Sequence, residues 1–144
     1  MTLAIMCAIS TLSGCTKNAP SYIKNCKDPT TEVEKMLLDS LWPDIELKGM
    51  QMVHLDDQLG GGDLTWFVAA WPDRGESAEP TSVDIAIWTT ERTDGSSQIY
   101  SLSAPAVLST GGIPKWDLAT TTDLVGSTVV NNPINCVLHE LGLK

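Results

Sequence analysis

Val83-Asp84-Ile85-Ala86-Ile87-Trp88-Thr89-Thr90 sets Val83, Ile85 and Ile87 against Asp84, Ala86 and Trp88 in strict alternation. A period of two places successive side chains on opposite sides of an extended chain, so this stretch predicts a half-buried strand. Asp94-Gly95 follows, and such a pair supplies the backbone freedom of a hairpin turn. Gln98 to Ala104 then reads as the returning strand. This hairpin makes the domain a sheet protein, and the remaining segments are placed around it.

Upstream, Ile45 to Leu55 is β-compatible around Gly49, a position suited to a bulge. The loop Asp56-Asp57-Gln58-Leu59-Gly60-Gly61-Gly62-Asp63 interrupts it, and Leu64 to Trp71 resumes as a strand that is apolar on both sides, ended by Pro72. Asp28-Pro29-Thr30-Thr31 is a helix start, with Thr31 and Glu34 spaced as a capping box. Val33, Met36, Leu37 and Leu41 continue it as one apolar stripe that Pro43 stops. At the far end, Asn132-Pro133 opens a second helix with Ile134, Val137, Leu138 and Leu141 on one face and Gly142 as its stop. Pro105 to Val130 carries no clear period. The expected fold is α+β: a four-stranded antiparallel meander with an N-terminal and a C-terminal helix on one face, in a single domain over 26–144.

The chain has 144 residues and a formal net charge of -9, with no run of Lys or Arg. A surface this acidic repels nucleic-acid phosphates and anionic lipid headgroups alike, so membrane contact needs another device. The N-terminus offers one. Residues 1–14 are uncharged, and the apolar run Leu3 to Ile9 is too short to span a bilayer but fits the apolar centre of an export signal. Leu12-Ser13-Gly14-Cys15 resembles the bacterial lipobox, in which small residues admit the signal peptidase and the thiol accepts diacylglycerol. Acylated Cys15 becomes the mature N-terminus on this reading, and 15–25 a polar tether. Two or more acyl chains hold a protein stably at a bilayer. The absence of Lys or Arg at the start departs from the usual signal.

Four cysteines are present. With Cys7 lost in the signal and Cys15 acylated, Cys26 and Cys136 remain. In an oxidising compartment they most simply pair. The closed loop is then about 110 residues long, and its closure entropy amounts to at most roughly 4–5 kcal/mol. Two buried free thiols are the alternative. A metal set from Cys26, Cys136, His54 and His139 is poorly spaced.

The order of features is similar to that of small uncharacterised lipoproteins of high-GC Gram-positive bacteria. Those pair an early Cys with a late helical Cys and carry a strand like that of Val83–Thr90 followed by one like Ile99-Tyr100-Ser101-Leu102-Ser103-Ala104. The resemblance covers a modest part of the chain and brings no catalytic residue with it.

Candidate chemistry is sparse. Asp56, Asp57 and Asp63 offer oxygens to a divalent ion but lack EF-hand order, and an acidic solvated loop is the plainer reading. His139-Glu140 lacks the second His of a zinc-protease helix. No nucleophile elbow is present, and Asp63 after the Gly triplet disfavours phosphate. No cofactor is implied. The five Trp stand out. If helices cover one sheet face, the other presents Phe67, Trp71 or Trp88 as a contact strip for an envelope protein or glycan. The expected function is therefore a non-enzymatic, membrane-anchored envelope lipoprotein. The alternative is a small cell-surface hydrolase using carboxylates or a divalent cation.

Overall fold

The computed structural model describes residues 25–54, 66–115 and 128–143, with side chains in the last helix from Asn131 onward. Helix α1 (Thr31–Ser40) leads into strands β1 (Glu46–His54), β2 (Trp66–Asp73), β3 (Ala86–Thr90) and β4 (Ile99–Ser101). Helix α2 (Ala104–Ser109) and helix α3 (Thr128–Glu140) follow. The strands form one antiparallel sheet in the order β1-β2-β3-β4, the expected α+β meander.

Two expectations about the sheet are corrected. The N- and C-terminal helices do not share a face. Along β2, Phe67 and Ala69 join Ile87 under Val137 and Leu138 of α3. Val68 and Ala70, pointing the other way, join Ala86 and Trp88 under Val33 and Leu37 of α1 and Ala106 of α2. Alternation of side chains along a strand puts these two groups on opposite sides, so the sheet is sandwiched. The hairpin strand is accordingly not half-buried: every residue of Ala86–Thr90 is buried. Asp84, which lent the stretch its polar alternation, lies in a 3-10 turn (Ser82–Asp84) before the strand, and Val83 beside it is exposed.

Local chemistry explains the boundaries. The N-cap of α1 is Thr30 rather than Thr31. Its hydroxyl accepts from the Val33 amide at 3.3 Å and donates to the Thr93 carbonyl at 2.5 Å, so one side chain caps the helix and ties it to the β3–β4 turn. Register slips between Lys48 and Gln51, where Gly49 takes φ 64°. A Cβ there would stand 2.9 Å from Leu141 Cγ, so the bulge serves both backbone geometry and the close seat of α3. Ser103 caps α2 with Pro105 in its first turn, inside what reads in sequence as a strand end. Helix α3 starts before Asn132 and carries Pro133 internally. It ends in a Schellman pair, Gly142 N–H to His139 O at 2.9 Å and Leu143 N–H to Leu138 O at 2.8 Å.

Cys26 and Cys136 form the disulfide, Cα–Cα 5.8 Å across a separation of 110 residues. Beside it, Lys27 exchanges backbone bonds with Met52 at 2.9 and 2.7 Å, a one-residue pairing on the outer edge of β1.

Candidate functional site

The structure separates the three aromatics expected on an open sheet face. Phe67 is 1% and Trp88 0% exposed, each covered by helices on its own side of the sheet. Both are core, and the physical reason is that neither face is left uncovered. Trp71 is half-buried at the margin of the α3 side, with the Lys48 ammonium 5.5 Å from its ring centroid. Lys48 also donates to Asp73 at 2.5 Å. That hydrogen bond, with a second from the Gly75 amide, holds the Asp73 carboxyl below its ordinary range, and the same bond to Asp73 raises the Lys48 ammonium.

The other sequence candidates scatter. Cys15, Asp56, Asp57 and Asp63 lie outside the described residues. His54 is exposed at the end of β1 and meets Trp66 edge-on at 4.7 Å, while Lys27 covers that ring at 5.4 Å. His139 is exposed on the last turn of α3. Among the described residues no group of His, Cys, Asp or Glu is placed to hold a metal ion, and no helix is long and apolar enough to cross a membrane. A polar cleft of about 480 Å³ beside Tyr100 is lined by the β3–β4 turn. The Ser97 hydroxyl in it is already engaged by Thr90 and the Arg92 amide.

The apolar surface left to solvent is elsewhere. Trp42 is 53% exposed, just past the end of α1, and Leu108 on α2 is 63% exposed. Their backbones are knitted together. Trp42 N–H donates to Ser109 O at 3.1 Å, Gly111 N–H donates to Ser40 O at 2.7 Å, and Leu41 pairs with Thr110. The indole lies on Gly111, where a Cβ would meet Trp42 Cη2 at 3.0 Å. Glycine therefore lets a large ring rest directly on backbone. A wide aromatic surface held rigidly in water costs little entropy when a partner covers it, which is the physics of an interface anchor.

Leu38, four residues before Trp42 and also exposed, lines a groove of about 350 Å³. The groove follows the edge of the sheet, with Leu47, Gly49 and Met50 of β1 between Glu34 of α1 and Glu140 of α3. It exists because the two helices cover opposite faces while β1 is the terminal strand. At one end the Gln51 amide donates to the Asp28 carboxylate at 3.1 Å and to Met50 O at 3.0 Å.

Sequence reading passes over Trp42. The available signal was Leu41-Trp42-Pro43, a large apolar residue set in a turn, but its seat on Gly111 is far away in the chain. No family model, curated protein or solved structure matches this chain.

Proposed function

We propose that this chain is a lipid-anchored cell-envelope protein, acylated at Cys15, whose domain is a non-enzymatic binding module. The observation that carries the reading is the Cys26–Cys136 disulfide. Such bonds persist in oxidising compartments, and this one begins a short distance after the lipobox-like Leu12-Ser13-Gly14-Cys15. The binding half of the reading is supported by Trp42 and Leu108, a rigid apolar surface beside a groove, facing an envelope protein as partner.

Mass spectrometry of the protein isolated from its host membrane tests the anchor. The expected species begins at Cys15 with two or three acyl chains, and Cys15→Ser releases an unacylated chain. A chain that retains Met1 and carries no lipid sinks the anchoring claim. Crosslinking of the anchored protein, with and without Trp42→Ala, tests the contact surface. Loss of the crosslinked partner in the variant is the expected result, and an unchanged pattern removes Trp42 from the site.

A further inference from the structure

We propose that the groove along the outer edge of β1 seats an extended segment of a partner protein in which Lys or Arg alternates with apolar residues. The segment adds a short strand to the sheet. This deepens the binding-module reading and rests on it, though not on the lipid anchor.

Three independent features lead there. The first is an incomplete edge. Among the described residues, the outer side of β1 is paired only at Met52, by Lys27, and no other segment pairs with Glu46–Gln51. Unpaired strand backbone is a template for another strand. The opposite edge is shorter and already met, since Ser101 of β4 bonds Pro114 O at 2.9 Å.

The second feature is shape. Helices α1 and α3 lie on opposite sides of the sheet, so the opening beside the edge strand is bounded by Glu34 and Leu38 of one and Glu140 of the other. Extended chain can bond the free backbone groups of the edge strand, whereas a helix has its own backbone groups already paired. The register slip at Gly49 limits pairing to a few residues, which keeps the edge from joining freely to copies of itself.

Charge is the third. Carboxylates of Asp28, Glu34 and Glu140 line the groove, and no Lys or Arg does. Asp28 has the Gln51 amide as its partner. Glu34 and Glu140 form no ion pair among the described residues, where the pairs are Lys35–Asp39 and Lys48–Asp73. A cationic side chain entering the groove meets carboxylates that have no ion-pair partner among the described residues, and the chain's net charge of -9 favours its approach to the protein. Alternate residues of the same segment turn to Leu38, Leu47 and Met50. Side chains of an added strand alternate between the two sides of the sheet, so one set faces Glu140 of α3 while the other faces Leu38 of α1 with Leu47 and Met50.

The test uses the full chain purified from membrane in neutral detergent. The probe is a short end-blocked peptide alternating Lys and Val, titrated by fluorescence anisotropy. Glu34→Lys with Glu140→Lys, both at exposed positions, is expected to weaken binding by about tenfold or more with the fold retained by circular dichroism. N-methylation of alternate peptide amides is expected to abolish binding, and a Glu–Val peptide is expected not to bind. Failure of the Lys–Val peptide to bind, binding that ignores the charge reversal, or binding indifferent to N-methylation each overturns the proposal. If crosslinking still depends on Trp42 while the peptide fails, the binding module stands and the groove does not. An unacylated chain that binds the peptide leaves the groove standing and removes the anchor.

Discussion

Against one side of the sheet, α3 lays Val137 and Leu138 on Phe67, Ala69 and Ile87, and a disulfide fixes that helix to the start of the domain. Against the other, α1 and α2 gather Val33, Leu37 and Ala106 around Trp88 with no covalent tie. The stapled side is sealed by a single helix whose end is closed by its own backbone bonds. The second side is built from two short helices joined at Leu41–Thr110, and its exposed Trp42 and Leu108 lie at that joint. The continuous helix leaves Trp71 half-buried at its margin, whereas the junction between short pieces leaves Trp42 and Leu108 mostly in solvent. The difference locates the candidate contact surface of Trp42 and Leu108 on the unstapled side.

Emptying each side in turn tests whether the two differ in stability as they do in construction. Trp88→Ala removes the fully buried ring at the centre of the unstapled side, and a loss of about 3–5 kcal/mol is expected in urea unfolding. A small loss would mean that this side is not a true core. Replacing Cys26 and Cys136 together by Ser should cost about 2–5 kcal/mol. Its signature is local, with hydrogen exchange rising in α3 before α1. Equal loosening of both helices would erase the asymmetry. Gly49→Ala, which sets a Cβ against Leu141 and forces a left-handed backbone on alanine, should cost about 1–2 kcal/mol. That loss should shrink in the disulfide-free background, where α3 can yield.

Among the described residues, the buried hydroxyl of Ser101, paired with Trp88 across the strands, has no hydrogen-bond partner, nor does the Trp88 indole N–H. Removing an unsatisfied polar atom relieves its desolvation, so Ser101→Ala should raise stability by up to about 1 kcal/mol. A clear loss would show that this hydroxyl is engaged. The smallest effect concerns Lys48 and Asp73. The depressed Asp73 carboxyl contributes stability above its unfolded range, and the contribution fades as pH falls through its lower folded value. Lys48 contributes fully below its unfolded range and loses that contribution as pH rises through its raised value. Melting temperature against pH should therefore decline at both ends, and Asp73→Asn should flatten the acid limb.

How far the sequence foretells this arrangement depends on the distance over which each signal acts. Ile134, Val137, Leu138 and Leu141 share a helical face and reach one cluster together, because helical spacing is local. The bulge at Gly49 and the stop at Gly142 are legible for the same reason. The sandwich is less so. Strand β2 is apolar on both sides in sequence, which is the mark of a doubly covered strand, but Asp84 lent the neighbouring stretch a polar phase that belongs to a turn. Helix α2 hides because Ser103 and Pro105 begin a helix where Leu102 ends a strand. The exposed site is the least legible part. Trp42 becomes a platform through Gly111, and the groove exists only where three separate elements meet.

The disulfide also decides how the domain would carry tension. A pull between the two ends of the chain enters at Cys26, crosses from sulfur to sulfur, and leaves from Cys136 through the last turn of α3. The sheet and the groove beside it lie off that load path. An oxidised chain stretched in an optical trap should therefore yield almost no length from the sheet, while the reduced one should release the chain between the two cysteines, a separation of 110 residues.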